Sequence, residues 1–242
     1  MIGLTGRTAL VTGAAGGIGA AIVRALQAQG VRVAGADLRA SAADIVIIGD
    51  LRDADFCEGL VQDATAALGR LDILVNNAGV ITRGKITEAS DADFDLSMAV
   101  NVAAPFRLCR AAIAAMAAGD GGAIVNVASC WGVHPGPDHP VYGMSKAALA
   151  ALTQCLGMDH AHQNIRVNAI CPNEVNTPML RSGFATRGLA VESAIEALNA
   201  TVPLGRIAEP EDIADVVVFL ASDQARYLCG ALIEANGGKP VG

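Results

Sequence analysis

The chain has 242 residues, 52 % of them apolar and 17 % charged, and its 17 basic and 24 acidic side chains leave a net charge of −7. Such hydrophobicity excludes a disordered chain, which needs few apolar residues and a high net charge. The acidic balance gives no electrostatic footprint for nucleic acid or an anionic membrane surface. Aromatics make up only 3 %, so the core must come from Ala, Val, Leu and Ile. Small residues let helices approach a sheet closely, and β-branched residues suit strands covered on both faces. A chain this long buries roughly 70–75 % of its unfolded surface, which favours a single domain over residues 1–242.

Taken in chain order, Arg7–Val11 is a short β-rich run ending in a Gly-rich turn, and Ile18–Ala28 continues with helical spacing at Ile18, Ile22 and Leu26. Val31–Ala36 and Ile45–Ile48 predict the second and third strands, with a helix at Ala54–Leu68 and a fourth strand at Leu71–Val75. A helix at Ala103–Ala118 precedes the fifth strand, Ala123–Val127, and a long helix at Tyr142–His160 precedes the sixth, Arg166–Ile170. Glu209-Pro210-Glu211-Asp212 opens a helix running over Ile213–Ala221, as the fixed φ of proline and the helix dipole favour. Ala231–Glu234 predicts the seventh strand. Strands alternating with helices imply right-handed βαβ units and a parallel α/β sheet. Thr177–Arg206 breaks the rhythm with Pro178, Gly183, Gly188 and Pro203, and reads as a substrate loop or lid.

Six irregularly spaced cysteines with no Cys-x-x-Cys pair read as reduced thiols of a cytoplasmic protein. The uncharged stretch Thr8–Val23 has 16 residues, four of them glycine, short of the ~20 apolar residues of a membrane helix. The N-terminus lacks the plan of a signal peptide, so neither a membrane nor export is expected.

The chemistry concentrates at strand ends. In Thr12-Gly13-Ala14-Ala15-Gly16-Gly17-Ile18-Gly19, glycines turn the chain sharply between the first strand and the first helix, whose N-terminus offers free N–H groups to a pyrophosphate. Asp37 ends the second strand, 18 residues after Gly19. A carboxylate there accepts hydrogen bonds from the ribose hydroxyls of NAD and repels the 2′-phosphate of NADP, while Arg39 leaves NADP open as an alternative. Tyr142 and Lys146 stand at i and i+4 on one helix face. An ammonium there is expected to lower the phenol pKa, so that the phenol exchanges a proton with a substrate oxygen. Ser129 lies just past the fifth strand, at the ligand-binding edge of a parallel sheet. His160 and His162, two apart, point to different helix faces, and no metal site is expected.

On these motifs the chain resembles the short-chain dehydrogenase/reductase family in its single-domain form. The resemblance implies a Rossmann-type doubly wound sheet of seven parallel strands with helices on both faces. It implies cofactor contacts at Gly13, Gly17, Ile18 and Gly19 and at Asp37, with Asp50 and Leu51 at the adenine and Asn77, Ala78 and Gly79 beside the adenosine ribose. Tyr142 and Lys146 also belong to the cofactor set, with Pro172, Val175 and Thr177 near the nicotinamide. Ser129, Tyr142 and Lys146 match the catalytic serine, tyrosine and lysine, and Asn101 the asparagine that holds a water in a proton relay. One position departs from the pattern: Asn173 stands where a glycine is usual, a turn that Asn tolerates through positive φ.

The implied activity is hydride transfer between a secondary alcohol and NAD, with an NADPH-dependent 3-oxoacyl-carrier reductase and a non-catalytic NAD-sensing scaffold as rivals. The resemblance also implies a homotetramer built on the Ala103–Ala118 and Tyr142–His160 helices and on the C-terminal strand region. Cys130, Trp131, His134, His139, Asn173 and Glu174 flank the site. A polar set of His134, Asn173 and Glu174 opposite a Trp131 wall suggests a small, neutral, polyhydroxylated or cyclic alcohol, Glu174 disfavouring anions.

Overall fold

The computed structural model describes residues 3–239. β1 (Thr8–Thr12) passes through the Gly-rich turn into α1 (Gly17–Ala28), then β2 (Arg32–Asp37) and β3 (Ile45–Ile48). α2 (Ala54–Leu68) returns to β4 (Ile73–Asn76), followed by α3 (Asp91–Met98), a π-type segment at Ala99–Ala103 and α4 (Ala104–Ala117). Next come β5 (Gly122–Val127), the one-turn α5 (Cys130–Val133), α6 (Pro140–His160) and β6 (Ile165–Pro172). α7 (Pro178–Thr186), α8 (Val191–Asn199), α9 (Pro210–Ala221) and β7 (Leu232–Ala235) complete the chain.

The seven strands pair in the order β3-β2-β1-β4-β5-β6-β7, every pair parallel. Side chains alternate faces along each strand, and the core divides accordingly. Ala9, Val11, Ile73, Val75 and Val125 join α1 and α9 on one face. Leu10, Leu74 and Ile124 join α2 and α4 on the other. The strand order reverses between β1 and β4, the crevice where such sheets bind ligands. The run Asp91–Ala117 is long and apolar enough to cross a membrane by length and composition, but Leu108, Cys109, Ala112 and Met116 on it lie in the core.

A buried polar ladder fixes α6 against the sheet. Asn76 Nδ2 donates to Asn126 Oδ1 at 2.8 Å, Asn126 Nδ2 to Thr153 Oγ1 at 2.9 Å, and Thr153 Oγ1 to Leu149 O at 2.8 Å. Tyr142 and Lys146 are thereby held in register with the ends of β4 and β5. Two corrections to the expected elements follow. The Thr177–Arg206 segment is not an irregular loop but carries α7 and α8, capped at its start by Thr177, whose Oγ1 accepts from Leu180 N. Helix α3 and the single turn α5 also lie in stretches read as connections.

Candidate active site

The Gly-rich turn is stapled to the end of β4. Thr12 Oγ1 accepts from the backbone N–H of Asn77 and Ala78, both at 3.1 Å, and Asn77 Nδ2 donates to Thr12 O at 2.9 Å and Gly13 O at 3.2 Å. Gly13 and Gly17 turn the chain with φ of +66° and +51°. At Gly19 a Cβ would overlap the Gly13 carbonyl oxygen, so only glycine lets α1 start this close to the turn. No side chain caps that helix start, which leaves its N–H groups, Ile18 among them, for a phosphate. Asp37 stands beside them, Oδ2 accepting from Ala15 N at 3.0 Å and Oδ1 from Arg39 N at 3.2 Å. Thr177 lies across the groove, its Cγ2 3.5 Å from where a Cβ on Gly17 would sit. Asp50, matched to the adenine, is braced by Arg52, which bonds its carboxylate through Nε at 2.8 Å and through its backbone N–H at 2.9 Å. That guanidinium holds the Asp50 carboxyl below the usual carboxylate range. Leu51 packs against the core beneath.

On the other side of the crevice, Ser129 caps α5, its Oγ accepting from Trp131 N at 3.1 Å. Tyr142 stands in the first turn of α6, and Lys146, buried at 4 % exposure, donates from Nζ to Val127 O at 2.8 Å. The Lys146 ammonium lies 6.0 Å from the centre of the Tyr142 ring. Burial pushes the Tyr142 phenol above its ordinary pKa, and the Ser129 hydroxyl and the Arg83 charge pull the other way. Arg83 is thus a second cation near the phenol beside Lys146, and burial brings Lys146 itself down to about 8.

Asn101 sits in the π-type segment, a geometry found often at functional positions. Its Oδ1 accepts from Val80 N at 2.9 Å, and its Nδ2 donates to Val80 O at 2.9 Å and Ser145 Oγ at 3.0 Å. The amide thus ties the segment after Gly79 to α6, and Oδ1 keeps a second lone pair. A Cβ on Gly79 would lie 3.3 Å from both Asn101 Oδ1 and Lys146 Nζ, so this backbone passes between the two.

Two members of the polar set expected for the substrate, His134 and Glu174, are each held by another side chain. His134 Nε2 pairs with Glu234 Oε1 at 3.0 Å. Trp131 meets His139 edge-on at 4.4 Å between ring centres. Asn173 and Glu174 line a separate cavity of about 140 Å³ with Val202, Leu204 and Ala235, to which neither Ser129 nor Tyr142 contributes. Glu174 Oε1 accepts from Lys239 Nζ at 2.7 Å, which answers the charge expected to repel anions. Asn173 has no positive φ, so its place in a glycine position asks nothing unusual of the backbone. Pro172 ends β6, and Val175 forms a parallel bridge with Ala208. Arg83, the residue whose charge acts on Tyr142, was missed in the sequence. Its only signal there is its position soon after Asn77-Ala78-Gly79.

A family profile described as Enoyl-(Acyl carrier protein) reductase matches residues 13–239. An uncharacterized oxidoreductase of Thermotoga maritima is 36 % identical over 249 residues, spanning 96 % of this chain and 97 % of that one. The chain belongs to the short-chain dehydrogenase/reductase family. Among solved members of similar structure, the aldohexose dehydrogenase of Thermoplasma acidophilum superposes with a TM-score of 0.92 at 28 % identity, over 97 % of this chain and 94 % of that one. The L-sorbose reductase of Gluconobacter frateurii, solved with NADPH and L-sorbose, gives 0.91 at 28 % identity over 98 % of both chains. As a short-chain dehydrogenase/reductase the protein is an oxidoreductase that takes a nicotinamide cofactor. Its groove fits such a group: the uncapped start of α1, the close approach at Gly19 and the carboxylate of Asp37 line one face.

Proposed function

We propose that this protein interconverts a small secondary alcohol and its ketone with NAD(H), acting on a sugar, polyol or cyclic alcohol. The observation that carries the reading is the meeting of Ser129, Tyr142 and Lys146 at the sheet edge facing the Gly-rich turn. Both structural relatives cited act on sugars by name, which supports the substrate class. The organisation proposed is one catalytic domain over residues 1–242, with the 177–206 segment closing over the substrate.

The cofactor would be held by Gly13, Gly17, Ile18 and Gly19 at the pyrophosphate. Asp37 would take the adenosine ribose, Asp50 and Leu51 the adenine, and Asn77, Ala78 and Gly79 the groove wall. Lys146 with Pro172, Val175 and Thr177 would hold the nicotinamide end. When bound, the cofactor supplies hydride transfer. The chain supplies the proton. In the reducing direction Tyr142 donates from its phenol to the carbonyl oxygen, and burial keeps that phenol protonated at neutral pH. In the oxidising direction Tyr142 must accept the hydroxyl proton, a step favoured as pH rises toward the phenol pKa. Ser129 hydrogen-bonds the same substrate oxygen and orients it. The onward proton route from Lys146 runs beside Asn101, whose amide positions the walls.

NAD is proposed over NADP because Asp37 is braced by Ala15 N and Arg39 N where a 2′-phosphate would fall. A homotetramer is proposed on the exposed apolar side chains Phe106 of α4, Met144 and Met158 of α6, and Tyr227. Reduced cysteines and the cytoplasm remain the compartment proposed. The deciding experiment is a panel of secondary alcohols and ketones run with NAD⁺/NADH and NADP⁺/NADPH in parallel, with light scattering for the assembly. Best turnover of long acyl thioesters with NADPH would replace this reading by the 3-oxoacyl-carrier one. Cofactor binding with no turnover of any compound would favour the sensing scaffold.

A further inference from the structure

Two arginines converge on one glycine of the lid. Arg83 leaves the segment after Gly79 and lays its guanidinium against Gly183 of α7, where a Cβ would come within 2.5 Å of Nη2 and 2.8 Å of Cζ. Arg187, at the end of the same helix, donates from Nε to Gly183 O at 3.0 Å and rests its guanidinium 5.1 Å from the centre of the Phe184 ring. Gly183 and Phe184 are buried, while both arginines are exposed. The glycine is what admits the pair, since any side chain at 183 would displace the Arg83 fork.

Neither guanidinium pairs with a carboxylate among the described residues, and Arg83 has no hydrogen-bond acceptor among them. The contrast with Arg181 on the same helix is direct: it bonds Asn176 and pairs with Glu192 at 3.1 Å. In a chain with seven more acids than bases, two close cations without a counterion are set against the overall charge. Loss of water where the Arg83 guanidinium packs on Gly183, and after it the Arg187 charge, disfavour the charge on Arg83, a cost that a bound anion would remove. Arg83 lies close enough to Tyr142 to act on its phenol electrostatically.

We propose that the substrate carries an anionic group, carboxylate or phosphate, which Arg83 and Arg187 grip between the Asn77–Gly79 arm and the lid while the reacting carbon lies at Tyr142. This rests on the alcohol–ketone reading of the site and narrows it to hydroxy or keto acids and sugar phosphates. A planar guanidinium presents paired donors that match either oxyanion in a bidentate fashion. The grip also joins the lid to the sheet edge, so that binding the anion closes α7 over the reacting centre.

The test is a matched panel with saturating cofactor: an aldonic acid, a sugar phosphate and the neutral polyol of the same length. Each is run on the wild type and on Arg83→Gln, Arg187→Gln and Gly183→Ala. Binding to the cofactor-loaded protein is measured alongside by calorimetry. The expected result is a higher kcat/KM for one anionic compound than for the polyol. Each arginine variant should reduce that preference roughly 10- to 100-fold, the scale of losing a hydrogen bond to a charged group, and weaken calorimetric binding of the same anion. Gly183→Ala should act in the same direction, because it displaces Arg83 without removing a charge. The better of acid and phosphate identifies the anion. Turnover of neutral polyols with no gain from an anionic group, or a preference unchanged in both arginine variants, overturns the proposal while leaving the parent reading intact. Preference for a thioester on an acidic carrier protein, lost in the same variants, overturns it in favour of a protein-docking role for the pair. Absence of turnover with every compound overturns the parent reading and the proposal together.

Discussion

At the amino-terminal ends of the strands the buried charges are answered. Asp72, 5 % exposed, accepts from Thr8 N at 2.8 Å and Arg70 Nε at 2.7 Å, while the Thr8 hydroxyl donates to Arg70 O at 2.7 Å. Arg166 donates to the carbonyls of Leu220, Ala221, Ser222 and Ala225, the end of α9 where a cation is favoured by the helix dipole. The larger cavity, about 440 Å³, lies at this end, and its Arg7 and Arg70 are already paired with Asp223, Asp72 and Asp120. The carboxyl-terminal ends are built the opposite way. The buried side-chain atoms without a partner among the described residues are Asn76 Oδ1, Asn173 Nδ2 and Glu174 Oε2, all at or just past the ends of β4 and β6. Lys146 is buried there with a carbonyl as its hydrogen-bond partner, and Arg83 and Arg187 stand without carboxylates. A group left wanting costs folding energy, and a sheet that confines such groups to one end keeps its stability and its chemistry apart.

That separation breaks hardest at Tyr142. Tyr142→Phe removes one hydroxyl from the functional end, and turnover should fall roughly 10²–10⁴-fold, the scale of general acid–base catalysis. Binding of NADH by fluorescence and the unfolding midpoint should both stay near wild type. Retained turnover would show that the proton comes from elsewhere.

The matching substitution at the other end is Asp72→Ala. It strands the buried Thr8 N–H, and chemical denaturation should show a loss of about 1–3 kcal/mol. The kcat of the folded fraction should be unchanged. A drop in kcat with stability preserved would mean that the two ends are coupled.

How much of this was legible in the sequence follows the same division. Strands whose side chains alternate between two apolar cores, such as Leu10 against Ala9 and Val11, announce themselves by composition and period. Helix α3 does not, because Asp-Ala-Asp-Phe-Asp-Leu-Ser-Met has no apolar stripe and buries only Ser97. Its readable signal is the capping box formed by Ser90 and Asp93. α8 does carry a helical period, at Val191, Ile195 and Leu198, but it buries no residue fully and lies among glycines and prolines that read as a loop. At the site, Ser129, Tyr142 and Lys146 were readable because residue type and spacing carry them. Arg83 was not, since its meaning depends on meeting Gly183 from a distant part of the chain. The partner of Glu174 was hidden for the same reason: Lys239, which answers its charge, is remote in sequence.

Lys146 tests whether the functional end truly costs stability. Its pKa is about 8 in the fold against 10.5 for an unburied lysine, so the unfolded chain binds more protons between those values and stability rises with pH across them. The destabilisation is fully present below pH 8 and vanishes above the unfolded pKa, at most about 3 kcal/mol in all. Lys146→Met, measured without cofactor, should therefore be most favourable relative to wild type near neutral pH. The gap should narrow as pH rises toward 10.5. The lost bond to Val127 O offsets the gain by roughly 1 kcal/mol at every pH, so the slope rather than the absolute value is diagnostic. Parallel stability curves would show that the burial of Lys146 is not felt as a charge penalty.

The smallest effect expected is at Asp37, where a functional residue is well satisfied by its own backbone. Ala15 N and Arg39 N brace its two oxygens, and each oxygen keeps a lone pair for a ribose hydroxyl. The wild type should prefer NAD(H) over NADP(H) at least tenfold in kcat/KM, about 1.4 kcal/mol. Asp37→Asn keeps the size and one carbonyl acceptor but removes the negative charge. A preference that comes from repulsion of the 2′-phosphate should therefore shrink toward unity, while KM for NAD⁺ changes less. Arg39 sharpens the outcome, because its Nη2 lies 3.7 Å from where a Cβ on Gly16 would stand, over the Gly-rich turn. Once the carboxylate is gone, that guanidinium is the nearest cation for a 2′-phosphate, and Arg39→Gln in the Asp37→Asn background should reverse any gain with NADP(H). Equal efficiency with both cofactors in the wild type would mean that Arg39 already outweighs Asp37, and that this corner belongs with the unanswered charges at the strand ends.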